Sequence, residues 1–474
     1  MIDVRQIREN PDALRQAISR RGVDPAKADV DHFLALDEER RTLQQEIDGL
    51  NAQKKELAQL GRTDPDAARA RGQQLRETTR DVEAKLAGVT GEWQTILDWF
   101  PNWPHQDMPD GTGEEDNPEE CVWLPGTGYL PADSLGKGDG SKAAMSLKPA
   151  HAEGEFEAIE HADLAPTLGV DTLQASQVSG SRFTYLKGDI ARMQYAIQQL
   201  LCNELLNRGY DMMVPPLLVR ERTLYGTSHF PEGRDQVYAI ESENVEDGAQ
   251  LFLVGSSEPT NFSYFMDRTL NEADLPVKVF AYTTCFRSEA GSWGRDVRGI
   301  KRVHQFDKIE MNAVCAPEQS HELYEEFGQI NQWLLQQLQL PYRMVAKCAG
   351  DAGYLATHIQ RDGEVWMPAT GEWMEVMTDT NTTDYQARRL NIRYRPTEGG
   401  GLKFCHTVND TGCAIGRMLI AILENYQQAD GSVKVPEALQ AVVGKDQLTP
   451  DPAAVDSGGG KGKRVAGKKK GKKQ

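Results

Sequence analysis

Charged, polar and aromatic side chains are concentrated along one stretch in the middle of the chain, between Thr283 and Glu310. We predict a strand that ends near Ser292, a loop rich in glycine, arginine and aspartate, and a second strand up to Glu310. Because successive side chains of a strand point to opposite faces, every second residue of the later segment shares one face: Arg302, His304, Phe306, Lys308 and Glu310. Such a face can hold a phosphate, a purine ring and an ammonium group. The alternative is an ion-paired face in contact with solvent, which the central Phe306 makes less favourable.

Motifs of the commonest nucleotide and metal sites do not occur in the sequence. There is no Gly-x-x-x-x-Gly-Lys-Ser/Thr loop and no Gly-x-Gly-x-x-Gly fingerprint. The seven cysteines are scattered and form no Cys-x-x-Cys pair, which argues against a disulfide framework. We therefore expect reduced structural thiols, with Cys285 and Cys405 packed in the sheet, and no structural zinc.

Two series of apolar residues near the N-terminus repeat every seven positions. The series are Leu36, Leu43, Leu50 and Leu57, and then Leu75, Val82, Val89 and Ile96. Between them, Gly61 suits the end of a helix, Asp64 an N-cap and Pro65 a first helical position. The pattern predicts an antiparallel coiled-coil hairpin of two helices of roughly 30 residues, each ~45 Å long. The alternative is a hairpin packed flat against a globular domain, but one narrow apolar stripe per helix favours a projecting arm.

The chain from about residue 120 to 445 mixes helical and strand patterns. Helices are predicted over 190–207 and 413–426. Strands are predicted over 251–254, 277–282, 305–311, 364–367 and 373–377. Because these strands are joined by hairpins and long loops without regular βαβ alternation, we predict an α+β fold with an antiparallel sheet flanked by helices.

Charge and hydropathy limit the classes of protein. The chain has 474 residues and a formal net charge of −18, although its last residues, from Lys461 to Lys473, are strongly basic. An acidic body repels nucleic acid at long range, so any contact with it must use local basic patches. No stretch approaches the ~18–20 apolar residues of a membrane span, and the N-terminus lacks a signal-peptide core. We therefore expect a cytoplasmic protein with a disordered basic tail over 446–474.

Several of these stretches, taken in order, resemble the class II aminoacyl-tRNA synthetases in their seryl form. Residues 286–289 with 304–310 are similar to motif 2, and 409–417 running into 423–427 to motif 3. Gly209 with Pro215 resembles motif 1, and 179–189 resembles the start of the catalytic domain in the seryl-tRNA synthetases. The resemblance implies a tRNA-binding helical arm over 1–110 and a class II catalytic domain over 111–445.

The resemblance also implies an ATP site around motifs 2 and 3. Arg287 would clamp the α-phosphate and the substrate carboxylate, and Arg417 would hold the γ-phosphate with Arg302 nearby. Glu289 would accept from the adenine amino group, while Phe306 stacks on the ring. The implied catalytic residues are Arg287, Glu289 and Arg417. The implied ATP-binding residues are Arg287, Ser288, Glu289, Arg302, Val303, Phe306, Glu375, Val376, Met377, Thr378 and Arg417, with Glu375 and Thr378 also holding Mg²⁺.

For the amino acid, the resemblance implies a polar pocket that discriminates through hydrogen bonds to the serine hydroxyl and ammonium groups. The implied serine-binding residues are Ser256, Ser257, Glu258, Arg287, Glu310, Asn409 and Thr411. Ser256 stands where the family commonly has threonine, which keeps the hydroxyl and loses a methyl group. His304 is expected to hydrogen-bond within the sheet, and His229 is given no role.

The implied partners are L-serine, ATP, tRNA(Ser) and a second copy of the chain that pairs through motif 1; whether tRNA(Sec) is also a substrate is left open. One alternative is a ligase that transfers an activated amino acid to a carrier protein, which has no use for the hairpin. Another is an inactive interaction protein that uses only the coiled coil. Pyrophosphate exchange with serine and charging of tRNA separate the three.

Overall fold

The computed structural model describes residues 1–60, 65–131, 139–145, 149–241, 250–291 and 298–451. The helices in these ranges are α1 (Val4–Glu9), α2 (Pro11–Arg20), α3 (Val30–Leu60), α4 (Pro65–Leu97), α5 (Asp139–Met145), α6 (His161–Leu164), α7 (Thr172–Ser179), α8 (Asp189–Asn207), α9 (Glu221–Gly226), α10 (Glu258–Ser263), α11 (Ser320–Gln337), α12 (Tyr385–Leu390), α13 (Ile415–Tyr426) and α14 (Glu437–Val443).

The strands are β1 (Glu119–Leu124), β2 (Gly128–Pro131), β3 (Val170–Asp171), β4 (Tyr185–Leu186), β5 (Asp211–Met213), β6 (Leu218–Arg220), β7 (Ala239–Ile240), β8 (Leu251–Leu253), β9 (Thr269–Asn271), β10 (Val277–Phe286), β11 (Gln305–Cys315), β12 (Tyr342–Ala346), β13 (Ile359–Met367), β14 (Glu372–Thr383), β15 (Arg393–Arg395), β16 (Lys403–Phe404), β17 (His406–Ala414), β18 (Val433–Lys434) and β19 (Gln447–Leu448).

A nine-stranded sheet forms the centre of the body, in the order β2-β1-β12-β13-β14-β17-β11-β10-β5. All neighbours run antiparallel except β10 and β5. Buried side chains of α8, α11 and α13 form the main core with the sheet. The predicted antiparallel sheet flanked by helices is therefore confirmed.

The four strands β14, β17, β11 and β10 carry the candidate site on one face. Because side chains alternate, Asn409 and Thr411 of β17 lie on that face while Asp410 points to the other, where Asn331 of α11 donates to it at 2.6 Å. Irregularities in strand pairing occur beside Glu310 and beside Glu364. Such bulges change the direction of side chains at the edge of a site.

The two predicted N-terminal helices form an antiparallel pair. Helix α3 has 31 residues and α4 has 33, and the apolar residues of the first series are buried as far as Leu50. The pair leaves the body at its base, where Phe33 and Phe100 pack against Leu355 and Tyr385. The coiled-coil hairpin is therefore confirmed; residues 61–64, which join its helices, lie outside the described ranges.

Two boundaries differ from the sequence prediction. Cys413 and Ala414 complete β17, and the helix predicted from residue 413 begins at Ile415. At the C-terminus, β19 pairs with β18 and Leu448 is buried, so the packed body extends beyond residue 445. A short apolar segment can pair with an existing strand without any periodicity of its own. The rest of the basic tail, from residue 452, lies outside the described residues.

Candidate active site

A cavity of about 80 Å³ lies between motif 2 and the start of α13. Arg287, Glu289, Arg302, Phe306 and Arg417 all line it. The first turn of α13 also contributes, and the unpaired amide groups at a helix N-terminus favour anions. The cavity thus combines an aromatic ring with three guanidinium groups.

Arg287 is held by the backbone of the second segment of motif 2 and by the loop that follows β8. Its amide donates to His304 O at 3.0 Å, and its Nε donates to Gly255 O at 3.3 Å. His304 Nδ1 lies 3.0 Å from Arg287 O, so this histidine bonds within the sheet as expected. The guanidinium carbon is 5.5 Å from the centre of the Phe306 ring. This arrangement orients the guanidinium before any substrate binds.

Arg417 is oriented by Glu375 on β14. Its Nη1 donates to Glu375 O at 2.8 Å and lies 3.1 Å from Glu375 Oε1. Thr378 Oγ1 donates to the same Oε1 at 3.3 Å. Burial opposes ionisation of Glu375, but the charges of Arg417, Lys347 and Arg287 outweigh it and hold its pKa below the usual value.

Glu375 and Thr378 provide a carboxylate and a hydroxyl, the oxygen ligands that Mg²⁺ prefers. Two protein ligands suit this ion, which normally keeps several waters and binds substrate phosphates. In the described part of the chain, no group of three or more His, Cys, Asp or Glu side chains could hold a metal ion. The carboxylate of Glu375 and the hydroxyl of Thr378 therefore fit an ion that is bound together with a phosphate group.

Glu289 and Arg302 form the far side of the same cavity. Arg302 Nη1 lies 3.6 Å from Glu289 Oε2, and Arg182 Nη1 donates to Glu289 O at 3.1 Å. Glu289 has a φ of 49°, which is uncommon for a residue with a side chain and marks a sharp turn out of β10.

A second cavity, of about 190 Å³, lies deeper in the sheet face. Glu258, at the start of α10, is buried at its floor, and its Oε1 accepts from Gln386 Nε2 at 2.7 Å and Asn409 Nδ2 at 2.9 Å. The Glu258 amide donates to Ser256 Oγ at 3.2 Å. Burial, together with the negative charge of Glu310, raises the pKa of Glu258 to about 8. A cation in this cavity would therefore stabilise the ionised form of Glu258.

Lys308, Glu310 and Thr411 form a buried chain on β11 and β17. Lys308 Nζ lies 2.6 Å from Glu310 Oε2 and donates to Thr411 Oγ1 at 3.3 Å. Thr411 Oγ1 in turn donates to Glu310 Oε2 at 3.4 Å. These are donors and acceptors positioned for a small hydroxylated ligand.

His229 and Tyr354 form the opposite wall, with ring centres 4.6 Å apart. The imidazole Nδ1 is 3.0 Å from Thr227 Oγ1. Burial, with the charges of Arg287 and Lys308, lowers the pKa of His229 to about 3, so its ring is neutral at physiological pH. Its role in this wall is therefore apolar contact and hydrogen bonding rather than charge.

The two cavities share Arg287, Lys308, Glu375 and Thr411 in their linings. A ligand that fills the inner cavity would therefore meet one in the outer cavity at the Arg287 guanidinium. Arginine's planar fork can contact a carboxylate and a phosphate oxygen at once.

Most of the residues predicted from the sequence line one of these cavities, but four side chains do not. Ser257 is buried beneath the inner cavity, and Ser288 Oγ donates to Asp235 O at 2.6 Å, away from the outer one. Val376 and Met377 are in the main core, so any contact they make with a nucleotide would come from their backbone. Cys285 and Cys405 are fully buried, as expected.

Other residues line the inner cavity although the sequence prediction gave them no role: Lys308, His229, Tyr354, Thr380 and Gln386. Strand alternation with Phe306 and Glu310 placed Lys308 on this face, but the sequence prediction gave it no role there. Tyr354 and Gln386 come from a loop and a short helix, which carry no periodic signal.

Two family models match the sequence. Residues 1–104 match the seryl-tRNA synthetase N-terminal domain. Residues 238–426 match the tRNA synthetase class II core domain of the G, H, P, S and T enzymes. The matched ranges contain the helical pair and, apart from His229, the lining residues of both cavities.

Similar proteins cover nearly the whole chain. A serine--tRNA ligase from Rhizorhabdus wittichii is 39% identical over 94% of this chain and 98% of its own length. The crystal structure of seryl-tRNA synthetase from Pyrococcus horikoshii complexed with ATP has a TM-score of 0.82 at 31% identity, over 95% of this chain and 100% of that one. The cytoplasmic serine-tRNA ligase of Naegleria fowleri, in complex with AMP, has a TM-score of 0.76 at 26% identity, over 95% of this chain and 99% of that one.

Proposed function

This chain belongs to the seryl-tRNA synthetase family, and we propose that it uses ATP to join L-serine to the 3′-end of tRNA(Ser). The serine carboxylate attacks the ATP α-phosphate, which forms seryl-adenylate and releases diphosphate. A hydroxyl of the terminal tRNA ribose then attacks the carbonyl carbon, which forms the seryl ester and releases AMP. The observation that carries the proposal is the pair of adjoining cavities that meet at Arg287.

Positioning and charge neutralisation accelerate the first step. Both reacting groups are anions, so the site must hold them together and stabilise the charge that develops on the phosphate. Arg287, at the junction, contacts the carboxylate and the α-phosphate, and Arg417 binds the γ-phosphate. Adenine stacks on Phe306 with Glu289 accepting from its amino group. Mg²⁺ bound with ATP at Glu375 and Thr378 would lower the charge that the attacking carboxylate meets.

Serine occupies the inner cavity. Glu258 receives the ammonium group, and Thr411 with Glu310 and Lys308 receives the hydroxyl. Alanine would fill the same space but leave buried polar groups unpaired, and this loss excludes it more strongly than a steric contact could. The small cavity, about 190 Å³, limits larger amino acids.

The helical arm binds tRNA through its outer half. Lys55, Arg69, Arg71 and Arg76 are exposed, and in the described part of the chain they have no ion-pair partner. Near the base, by contrast, Lys85 pairs with Glu39 at 2.8 Å. Unpaired cations along a helix suit phosphate contacts to an RNA stem, where shape and backbone dominate recognition. The arm therefore contacts tRNA(Ser), and a charging assay with tRNA(Sec) measures whether that tRNA is also a substrate.

A second copy of the chain pairs along the β5 edge of the sheet. In the described residues, β5 has a strand neighbour on one side only. Apolar side chains are exposed beside it, including Val214 at 88% and Met212 at 47%. An open strand edge with exposed apolar side chains is a typical protein–protein contact surface. We propose that the enzyme works as a homodimer in the cytoplasm, as the family resemblance implies. Separately, no helix in the described ranges is long and apolar enough to cross a membrane.

Two assays test the proposed function on the full-length protein. ATP–pyrophosphate exchange should require L-serine and should be at background with alanine or threonine at the same concentration. The preparation that is active in exchange should then also attach serine to tRNA(Ser). Exchange without charging would indicate transfer to another acceptor, and no exchange with serine would refute the proposal.

A further inference from the structure

Arg21 contacts the catalytic body from the N-terminal domain. It follows α2 directly, is 8% exposed, and donates four hydrogen bonds to backbone carbonyls of residues 352–357. Nη1 donates to Thr357 O at 2.8 Å, and Nη2 lies 3.2, 2.6 and 3.0 Å from the carbonyl oxygens of Ala352, Gly353 and Tyr354. A single guanidinium group thus donates hydrogen bonds to four carbonyl groups of the same segment.

The same segment is a wall of the inner cavity. Gly353, Tyr354, Ala356 and Thr357 line it, and Tyr354 packs on His229. Asn102, at the end of the N-terminal domain, holds the next carbonyls: its amide donates to Leu355 O at 2.7 Å and its Nδ2 donates to Ala356 O at 2.8 Å. Consecutive carbonyl groups of this wall therefore accept hydrogen bonds from residues of the N-terminal domain.

Secondary structure cannot replace these bonds. The wall segment has no regular helix or strand, and Thr357 is its own donor to two of these carbonyl groups, from Oγ1 to Gly353 O and from its amide to Tyr354 O, both at 3.0 Å. In the described part of the chain, the remaining hydrogen bonds to carbonyl groups of the segment come from Arg21 and Asn102. Among the described residues Arg21 forms no ion pair with an acid, and its charge is directed entirely at the carbonyl groups. A lysine in its place would keep the charge but has a single nitrogen, which cannot reach all four acceptors in the same geometry.

We propose that Arg21 is a positioning residue for the amino-acid site: it fixes residues 352–357, and with them Tyr354 and Thr357, against the ligand in the inner cavity. The N-terminal domain then does more than bind RNA, because it completes the serine pocket of its own subunit. This inference rests on the proposed function, in which the inner cavity holds serine.

The test compares KM for serine with KM for ATP in ATP–pyrophosphate exchange, using full-length Arg21→Met and Arg21→Lys. We expect Arg21→Met to raise KM for serine about tenfold or more, a factor that corresponds to about 1.4 kcal/mol. KM for ATP should stay within roughly twofold, since the outer cavity contains none of the wall residues. Arg21→Lys should fall between the parent and Arg21→Met, and it provides the test if Arg21→Met does not fold.

Arg20→Met is the matched control. Arg20 precedes Arg21 and also joins the N-terminal domain to neighbouring segments, but through Asp110 at 2.7 Å and Met108 O at 2.9 Å, away from the wall. Its KM for serine should equal that of the parent. An equal rise in Arg20→Met, or equal rises in KM for serine and ATP in Arg21→Met, would show that Arg21 only docks the domain and would overturn the inference.

A double-mutant cycle tests whether Arg21 affects serine binding through Tyr354 in the wall. If Arg21 acts through the wall, the effects of Arg21→Lys and Tyr354→Ala on KM for serine should be clearly less than multiplicative. Independent, multiplicative effects would contradict the inference. Failure of the parent enzyme to exchange pyrophosphate with serine would instead refute the proposed function, so the two failures are distinguishable.

Discussion

Affinity for serine should depend on the ionisation of Glu258. Its carboxylate is 5% exposed and accepts from two neutral amides, while burial and the charge of Glu310 raise its pKa to about 8. Below that pH the carboxyl group is mostly protonated in the free enzyme, and the ammonium group of serine must displace the proton. Each pH unit below 8 then costs about 1.4 kcal/mol of binding free energy.

The expected result is a KM for serine that rises roughly tenfold from pH 7 to pH 6 and levels off above about pH 8. The sign follows from the raised pKa: a higher pH favours the charged carboxylate that the ammonium group needs. Glu258→Gln keeps an acceptor for Gln386 and Asn409 but has no charge. Its KM for serine should be raised about 10–100-fold at pH 8 and should no longer change with pH, since hydrogen bonds to charged groups contribute about 1.5–3 kcal/mol.

Pyrophosphate exchange between pH 6 and 8 measures this effect, with KM for ATP as the internal control. His229 shares the cavity but does not titrate in this range, because its pKa is lowered to about 3. Asp362, whose pKa burial raises to about 7, does titrate there, and the Glu258→Gln variant separates its contribution. A flat serine KM in the parent, or the same slope in Glu258→Gln, would refute the assignment of Glu258 to the ammonium group.

Three further predictions concern the phosphate-binding arginines Arg287 and Arg417, the helical arm and the dimer. Arg287→Ala and Arg417→Ala should each reduce pyrophosphate exchange at least ~10²-fold without unfolding the protein. The surface variant Arg222→Ala should match the parent. Exchange within a few-fold of the parent would exclude Arg287 or Arg417, whichever was changed, from binding the phosphates. Deletion of residues 54–80, with a short turn joining the helices, should leave pyrophosphate exchange nearly intact but sharply reduce tRNA charging. It should also flatten the salt dependence of tRNA binding. Unchanged charging would show that the arm is not the tRNA-recognition element and would make the basic tail the next candidate. Val214→Asp should shift the sedimenting species from dimer towards monomer, and a fully active monomeric parent would contradict the proposed interface.

The sequence predicted those parts of the molecule that repeat or alternate. The heptads of Leu36 to Leu57 predicted the first arm helix because a buried stripe needs apolar residues at that spacing. The alternation of Phe306 and Glu310 predicted a functional strand face. Alternation also identified Lys308 as a member of this face, but not its 2.6 Å ion pair with Glu310, because alternation gives the face of a side chain and not the conformation that brings two charged groups together.

Residue type at a motif position did not determine which side chains reach a cavity. Val376 and Met377 lie between Glu375 and Thr378, and the bulge opposite Glu364 turns both of their side chains into the core while Glu375 and Thr378 line the inner cavity. Ser257 follows Ser256, and the first turn of α10 directs its side chain away from the cavity. A motif identifies a contiguous block of residues, whereas the local backbone geometry, including bulges and helix starts, decides which side chains of that block reach the site and which enter the core.

The wall of the inner cavity was beyond prediction for a different physical reason. Residues 352–357 have no periodic pattern, and Arg21 lies more than 300 positions earlier, where it resembles any other arginine at the end of a helix. Arg21 differs from such residues in that it is buried, has no acidic partner among the described residues and donates hydrogen bonds to four carbonyl groups. Only the packing of the N-terminal domain on the body creates that environment. The specificity of the amino-acid site therefore depends on a contact between domains as well as on the strands that carry the family motifs.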